Sequence, residues 1–156
     1  MSPPAVLFVG LGNICRSPLA EAALRAEAAA RRVAVTVDSA GTGGWHAGDP
    51  PDPRAQAIAR VHGVDIAGLR ARQVTRADFA RFTHVVAMDA DNLADLQRLR
   101  PADAPAALSL LLDHVAGRAG QSVADPYYGG PEGFAATWAE VTAGAAGLLD
   151  RLARAG

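Results

Sequence analysis

The stretch that most constrains the fold covers residues 5–18 and reads AVLFVGLGNICRSP. It opens with five apolar residues, 5–9, a length and composition typical of a buried strand in a parallel sheet. A loop with Gly10 and Gly12 follows, and Pro18 stands where a helix would begin, at a position that tolerates the missing N–H group. A strand, a glycine-bearing loop and a helix N-terminus form an arrangement that binds anions, because backbone N–H groups and the helix dipole favour negative charge.

Two interpretations of this loop compete. Gly10 and Gly12 fit the start of a Gly-x-Gly-x-x-Gly dinucleotide fingerprint, and Asp38 lies roughly 20 residues on, where an acid would bind a ribose. However, Cys15 occupies the place of the third glycine, and Arg16 has no role in that pattern. The alternative is a loop for phosphate monoesters, in which the Arg16 guanidinium presents a planar fork to two phosphoryl oxygens.

The second interpretation rests on a family resemblance. The segment GNICRSP, residues 12–18, closely resembles the signature of low-molecular-weight protein tyrosine phosphatases. That signature begins with a nucleophilic cysteine, which is followed by five intervening residues, an arginine and then a serine or threonine. Residues 38–42, DSAGT, resemble a second block of that family. Counting back from Arg16 places Gly10 at the nucleophile position. Glycine has no group that can attack phosphorus, so the covalent phospho-enzyme step cannot occur there.

The resemblance implies roles for the loop residues. Ser17 would lower the pKa of the family's attacking thiol, and Asn13 would hold the unusual loop backbone, since asparagine tolerates left-handed angles. The phosphoryl oxygens would be held by the Arg16 side chain and by the backbone N–H groups of Leu11, Gly12, Asn13, Ile14, Cys15, Arg16 and Ser17.

A further matching block, DPYYG, begins at Asp125. In the family, the aspartate of such a segment is the general acid, which protonates the leaving phenolate oxygen and then activates water. The resemblance also implies aromatic walls around the cleft, and flat apolar walls favour an aryl phosphate over the shorter phosphoserine. The predicted walls are Leu11, Trp45, His46, Tyr127 and Tyr128, with His46 at the rim.

Two further positions, Cys15 and Leu69, need separate interpretation within this resemblance. Cys15 is the only thiol, and because it adjoins Arg16 we predict a small packed residue there instead of a substitute nucleophile. Leu69 stands nearest to the place where the family often has a histidine that supports the loop asparagine, so a different support of Asn13 is expected.

The resemblance leaves several functions open. The loop is expected to bind inorganic phosphate, sulfate, a small aryl phosphate or a phosphotyrosine protein, without a metal or cofactor. Glycine at position 10 fits a phosphatase whose nucleophile was lost recently or was removed by engineering. It also fits a natural pseudophosphatase that binds phosphotyrosine without turnover. A nucleotide-binding protein is the remaining alternative. Arsenate reductases need further cysteines, and arginine phosphatases of this type carry threonine where Ile14 stands.

Length and composition set further limits. The chain has 156 residues, of which 50% are hydrophobic, so we expect one domain, residues 1–156, with one substantial core. The net charge of −1 and the absence of basic or charged blocks give no reason to expect nucleic acid or a membrane as a partner. One cysteine excludes an internal disulfide. No signal pattern opens the chain, so a cytoplasmic protein is expected. We also expect a monomer or a weak dimer.

The predicted fold is an α/β domain with a four-stranded parallel sheet, helices on both faces and the phosphate-binding loop after strand 1. Predicted strands cover residues 5–9, 33–38, 83–88 and 107–111, and predicted helices cover 19–32, 54–62, 76–81, about 90–98 and 131–155. The carboxylates in residues 89–92 suggest either a metal site or the start of a helix, and the helix cap is favoured. A core-facing stripe on the last helix comprises Phe134, Trp138, Val141, Ala145, Leu148, Leu149 and Leu152.

Overall fold

Four parallel strands form the centre of the molecule, as the sequence predicts. The computed structural model describes residues 3–155. The strands lie side by side in the order β2-β1-β3-β4, and every pairing between neighbours is parallel. The elements in chain order are β1 (Ala5–Gly10), α1 (Arg16–Arg31), β2 (Thr36–Gly41), α2 (Pro53–Val61), α3 (Asp78–Arg81), β3 (His84–Ala87), α4 (Ala90–Leu99), β4 (Ala107–Leu110), a short 3-10 helix (Leu111–His114) and α5 (Pro131–Ala155).

The first strand is buried on both faces, which explains its uninterrupted apolar sequence. Val6 and Phe8 face the core that contains α1, α2 and α5, whereas Leu7 and Val9 face the core that contains α3 and α4. Successive side chains of a strand point to opposite faces, so one apolar run serves two layers of helices. The predicted stripe on α5 is buried along its whole length.

The second strand begins and ends three residues later than predicted. Arg32 adopts a left-handed conformation (φ 58°) at the end of α1, and the N–H of Val33 donates to the carbonyl of Ala28 at 2.9 Å. Val33 therefore belongs to the helix cap and is not free to start a strand. Pairing with β1 then extends the strand to Gly41, so that Ser39 lies inside β2 instead of following it.

Several other boundaries differ by one to three residues from the prediction, and three of them have a clear local cause. Helix α1 begins at Arg16, three residues early, and Pro18 is tolerated because first-turn N–H groups have no acceptor within the helix. Helix α3 begins at Asp78, whose carboxylate accepts the N–H of Thr75 at 2.8 Å. Strand β4 ends at Leu110, where a 3-10 turn begins. Across the described residues 3–155, none of the helices combines the length and the apolarity that crossing a membrane requires.

Helix α5 approaches the 3-10 helix closely at a glycine. A Cβ atom on Gly147 would overlap the carbonyl oxygen of His114, which is backbone and cannot swing away. We expect Gly147→Ala to lower the free energy of unfolding by about 1–3 kcal/mol, although alanine is the better helix former. Gly133→Ala in the same helix is the control, because its Cβ would meet only Pro126 at 3.6 Å. Urea denaturation measures both variants, and equal stability would contradict this close packing.

Candidate functional site

In the loop of residues 10–15, the carbonyl groups of Gly10, Leu11 and Ile14 point outward. Three N–H groups from two neighbouring segments donate to these carbonyls: Thr42 to Gly10 at 2.9 Å, Gly43 to Leu11 at 2.9 Å, and Asp52 to Ile14 at 2.8 Å. The carbonyl and the N–H of one planar trans peptide point in opposite directions, so the N–H groups that follow these carbonyls face the centre of the loop. No protein acceptor for the N–H groups of residues 11–15 occurs within residues 3–155. The arrangement suits an anion with several oxygens.

Strand β2 passes directly beneath this loop, and a glycine makes the approach possible. A Cβ atom on Gly41 would lie 2.6 Å from the carbonyl oxygen of Leu11 and 3.1 Å from the nitrogen of Asn13. Both contacts are to backbone atoms of the loop itself. Any side chain at position 41 would therefore displace the loop, a requirement that sequence analysis did not identify.

Asn13 fixes the most strained part of the loop. Its φ of 61° lies in the left-handed region, as predicted for an asparagine. Its Nδ2 donates to Ser17 Oγ at 2.8 Å and to Ser39 Oγ at 3.0 Å, while its Oδ1 accepts the N–H of Arg72 at 3.0 Å. Support for Asn13 thus comes from Ser39 and a backbone amide, whereas Leu69 packs against the core.

A buried carboxylate orients this network. The hydroxyl of Ser39 donates to Glu21 at 2.6 Å, and Glu21, only 3% exposed, pairs with Arg25 at 2.8 Å. Each hydroxyl has one hydrogen to donate. Ser39 uses its hydrogen on Glu21, and Ser17 accepts from Asn13, so the hydroxyl hydrogen of Ser17 is available to a group beside residue 10. The sequence pattern alone gave no indication of this role for Glu21.

Arg16 is buried beside the loop with 4% of its surface exposed. Its Nη1 donates to Asp89 Oδ2 at 2.6 Å and to the carbonyl of Val123 at 2.9 Å, and its Nη2 lies 3.7 Å from Asp125 Oδ2. Asp89 also accepts the N–H of Asn92 at 2.7 Å, which confirms the predicted helix cap. Its contact with Arg16 was missed, although its place at the carboxyl end of β3, beside β1, was a usable signal.

The predicted site residues surround one cavity of about 310 Å³. The loop, Trp45, His46 and Asp125 all line this cavity. Tyr127 and Tyr128 line it as well, and their rings meet edge to face with centroids 4.9 Å apart. Trp45 is 73% and Tyr128 94% exposed, unusual values for such large side chains. The lining comprises Gly10, Leu11, Gly12, Asn13, Ile14, Cys15, Arg16, Ser17, Trp45, His46, Asp125, Tyr127 and Tyr128.

The acid and the imidazole at the rim are both fixed by neighbours. Asp125 Oδ1 accepts the N–H of Tyr127 at 3.0 Å, an Asx turn that holds the carboxylate at the cavity edge. His46 Nδ1 lies 3.2 Å from Asp49 Oδ2, and its ring covers Gly12 so closely that a Cβ there would meet it at 2.9 Å. His46 therefore lines the cavity beside Gly12.

Asp38, the acid of the dinucleotide interpretation, lies outside this cavity lining. Its carboxylate accepts hydrogen bonds from the Arg72 guanidinium at 3.1 and 3.3 Å and from the N–H of Ser39 at 2.8 Å. These partners occupy the group that would have to bind a ribose.

Glycine is not required at position 10 by the backbone. Gly10 is absent from the positions with positive φ in the described chain. A Cβ atom there would lie 3.4 Å from Ser17 Oγ and 3.7 Å from Met88 Cγ, which are ordinary contacts. A side chain can therefore be added at this position without displacing the loop.

These features accompany a clear family relationship. A family model described as "Low molecular weight phosphotyrosine protein phosphatase" matches residues 5–156. The chain is 46% identical over 149 residues to a low molecular weight protein-tyrosine-phosphatase of Streptomyces coelicolor, covering 92% of this chain and 90% of that one. The chain belongs to the low molecular weight phosphotyrosine protein phosphatase family.

Solved structures agree with this assignment. The crystal structure of a protein tyrosine phosphatase from Entamoeba histolytica, with Hepes in its active site, superimposes with a TM-score of 0.92 at 31% identity, covering 97% of this chain and 98% of that one. YfkJ from Bacillus subtilis superimposes with a TM-score of 0.91 at 38% identity, covering 99% of this chain and 97% of that one.

The cysteine in the loop is chemically unsuited to attack phosphorus. Burial, reinforced by the charges of Asp52 and Asp125, raises the pKa of the Cys15 thiol to about 12.

We expect the Cys15 thiol of the folded chain to react slowly with an aromatic disulfide reagent at mildly alkaline pH, because only the thiolate reacts. The expected rate is about a thousandfold below that of the same thiol in the chain unfolded in guanidinium chloride. Absorbance of the released thiolate measures both rates. Similar rates in the two states would show that Cys15 is accessible and ionised.

Proposed function

We propose that this chain binds phosphate and aryl phosphate monoesters, phosphotyrosine among them, in the loop of residues 10–17, and that it hydrolyses them inefficiently because Gly10 stands where the family has its nucleophile. The inward N–H groups and the Arg16 guanidinium support the binding role, since they complement the equatorial oxygens of a phosphoryl group. The exposed rings of Trp45 and Tyr128 at the cavity mouth favour a flat aromatic ester.

In this proposal Asp125 is the general acid. Its carboxylate lies at the cavity edge, with Oδ2 3.7 Å from Arg16 Nη2, beside the place where the phosphoryl group would be held. It would protonate the leaving phenolate oxygen on the side opposite the nucleophile position. The hydroxyl of Ser17, free to donate toward residue 10, would stabilise a thiolate there in active relatives.

The observation that carries the proposal is the room at position 10. A cysteine side chain attached to Gly10 would start 3.4 Å from Ser17 Oγ, at the floor of the anion-binding loop. The backbone requires no glycine there, and the partners that a nucleophile would use are in place around it. These features support a phosphatase site from which one functional group is missing.

We expect Gly10→Cys to hydrolyse p-nitrophenyl phosphate with a kcat/KM on the order of a thousandfold or more above that of the unchanged chain, since loss of a nucleophile has an effect of that size or larger. Gly10→Ala is the matched control, because it fills the same Cβ position without a thiol and should stay inactive. Release of p-nitrophenol at constant pH provides the assay.

Each other outcome has a definite meaning. Activity in the unchanged chain comparable to that of Gly10→Cys would contradict the proposal and point to attack by Cys15 or directly by water. No activity in Gly10→Cys would show that the loop has lost more than a thiol, and a phosphotyrosine-binding module without catalysis would become the leading function.

We expect the unchanged chain to bind inorganic phosphate and phosphotyrosine at least as tightly as Gly10→Cys, because a thiolate beneath the anion repels a phosphate dianion.

Arg16→Lys should weaken phosphate binding about tenfold or more, since lysine loses the two-pronged guanidinium contact. Isothermal titration calorimetry measures both, and no binding heat at millimolar phosphate would disprove the binding role.

A further inference from the structure

We propose that Arg54 is a positioning residue that joins the phosphate loop to the segment that carries Asp125, and that it thereby sets the place of the Asp125 carboxylate and of the Tyr127 ring. The inference rests on the proposed function, in which Asp125 delivers a proton to the leaving group. The sequence pattern alone indicated no role for Arg54.

The position of Arg54 in its helix is electrostatically unfavourable. It is the second residue of α2, directly after Pro53, where the helix dipole is positive and a cation is disfavoured. Asp52 compensates, because it caps the helix by accepting the backbone N–H of Arg54 at 2.8 Å and also accepts from Nε and Nη2 of the side chain, each at 3.0 Å. These hydrogen bonds lower the pKa of Asp52 and raise that of Arg54, so both stay charged.

The same carboxylate-bearing residue is attached to the phosphate loop. The backbone N–H of Asp52 donates to the carbonyl of Ile14 at 2.8 Å. Because the paired side chains of Asp52 and Arg54 form a two-pronged contact, the guanidinium has one orientation with respect to the loop.

On its other side, the guanidinium contacts the segment that follows Asp125. Its Nη1 donates to the carbonyl of Gly129 at 3.3 Å, and its central carbon lies 5.5 Å from the centre of the Tyr127 ring and 4.7 Å from that of Phe134. Both distances are within the range of cation–π attraction. Since the N–H of Tyr127 is bound by the Asp125 carboxylate, a shift of Tyr127 moves the acid as well.

Loss of Arg54 should therefore affect proton delivery more than phosphate binding. The N–H groups of the loop and the Arg16 guanidinium hold the phosphoryl group without help from Arg54. A misplaced Asp125 matters most for a leaving group that needs a proton, such as phenolate, and little for dinitrophenolate, which leaves as a stable anion.

The test compares two substrates in the Gly10→Cys background. We expect Arg54→Gln to lower kcat/KM for phenyl phosphate about ten- to a hundredfold, the effect of a displaced general acid, and to leave that for dinitrophenyl phosphate nearly unchanged. Arg60→Gln is the matched control, since Arg60 is an exposed arginine of the same helix. Arg54→Lys, which keeps the charge and loses the fork, should resemble Arg54→Gln.

Equal losses for the two substrates, together with a lower melting temperature, would show that Arg54 is merely structural and would overturn the inference. Unchanged rates for both substrates would also overturn it. Should Gly10→Cys itself be inactive, the proposed function fails and a second measurement decides the inference. In the unchanged chain, Arg54→Gln should speed amide hydrogen exchange in residues 125–130 relative to Arg60→Gln, and identical exchange would refute the connection.

Discussion

The outward hydrogen bonds of three loop carbonyls, those of Gly10, Leu11 and Ile14, hold the loop around which the rest of the site is arranged. They come from the chain just after β2 and just before α2, so the sheet and a helix both hold the loop open. The conformation has a cost, since Asn13 must adopt left-handed angles, and the network through Ser39 and Glu21 offsets it. The N–H groups are thus arranged before any ligand arrives, which is the condition under which such dipoles stabilise an anion most effectively.

Two arginines then connect the loop to the opposite wall of the cavity. Arg16 reaches the carbonyl of Val123, whose own N–H donates to Met88 at the end of β3, and Arg54 reaches Gly129 on the far side of Asp125. The buried charge of Arg16 is balanced by Asp89 at 2.6 Å, which lowers the energetic cost of keeping a cation there in the absence of a ligand.

The sequence predicted features that depend on local patterns and missed those that depend on distant partners. The apolar run of β1, the loop after it and the stripe on α5 each follow from residue periodicity. The start of β2 was wrong because the end of α1 uses Val33 for its cap, a competition that strand propensity does not express. The contact of Arg16 with Asp89 joins residues 73 positions apart, and Arg54 resembles any helical arginine until its partners are seen.

Position 10 combines ordinary backbone angles with room for a side chain, and this has a genetic consequence. The glycine codons GGT and GGC each differ from a cysteine codon by a single base. A gene that uses either one can acquire or lose a thiol at the floor of the loop by one nucleotide change, with no compensating substitution elsewhere in the fold. Under our proposal, a lineage could then alternate between holding phosphorylated ligands and hydrolysing them over short evolutionary times.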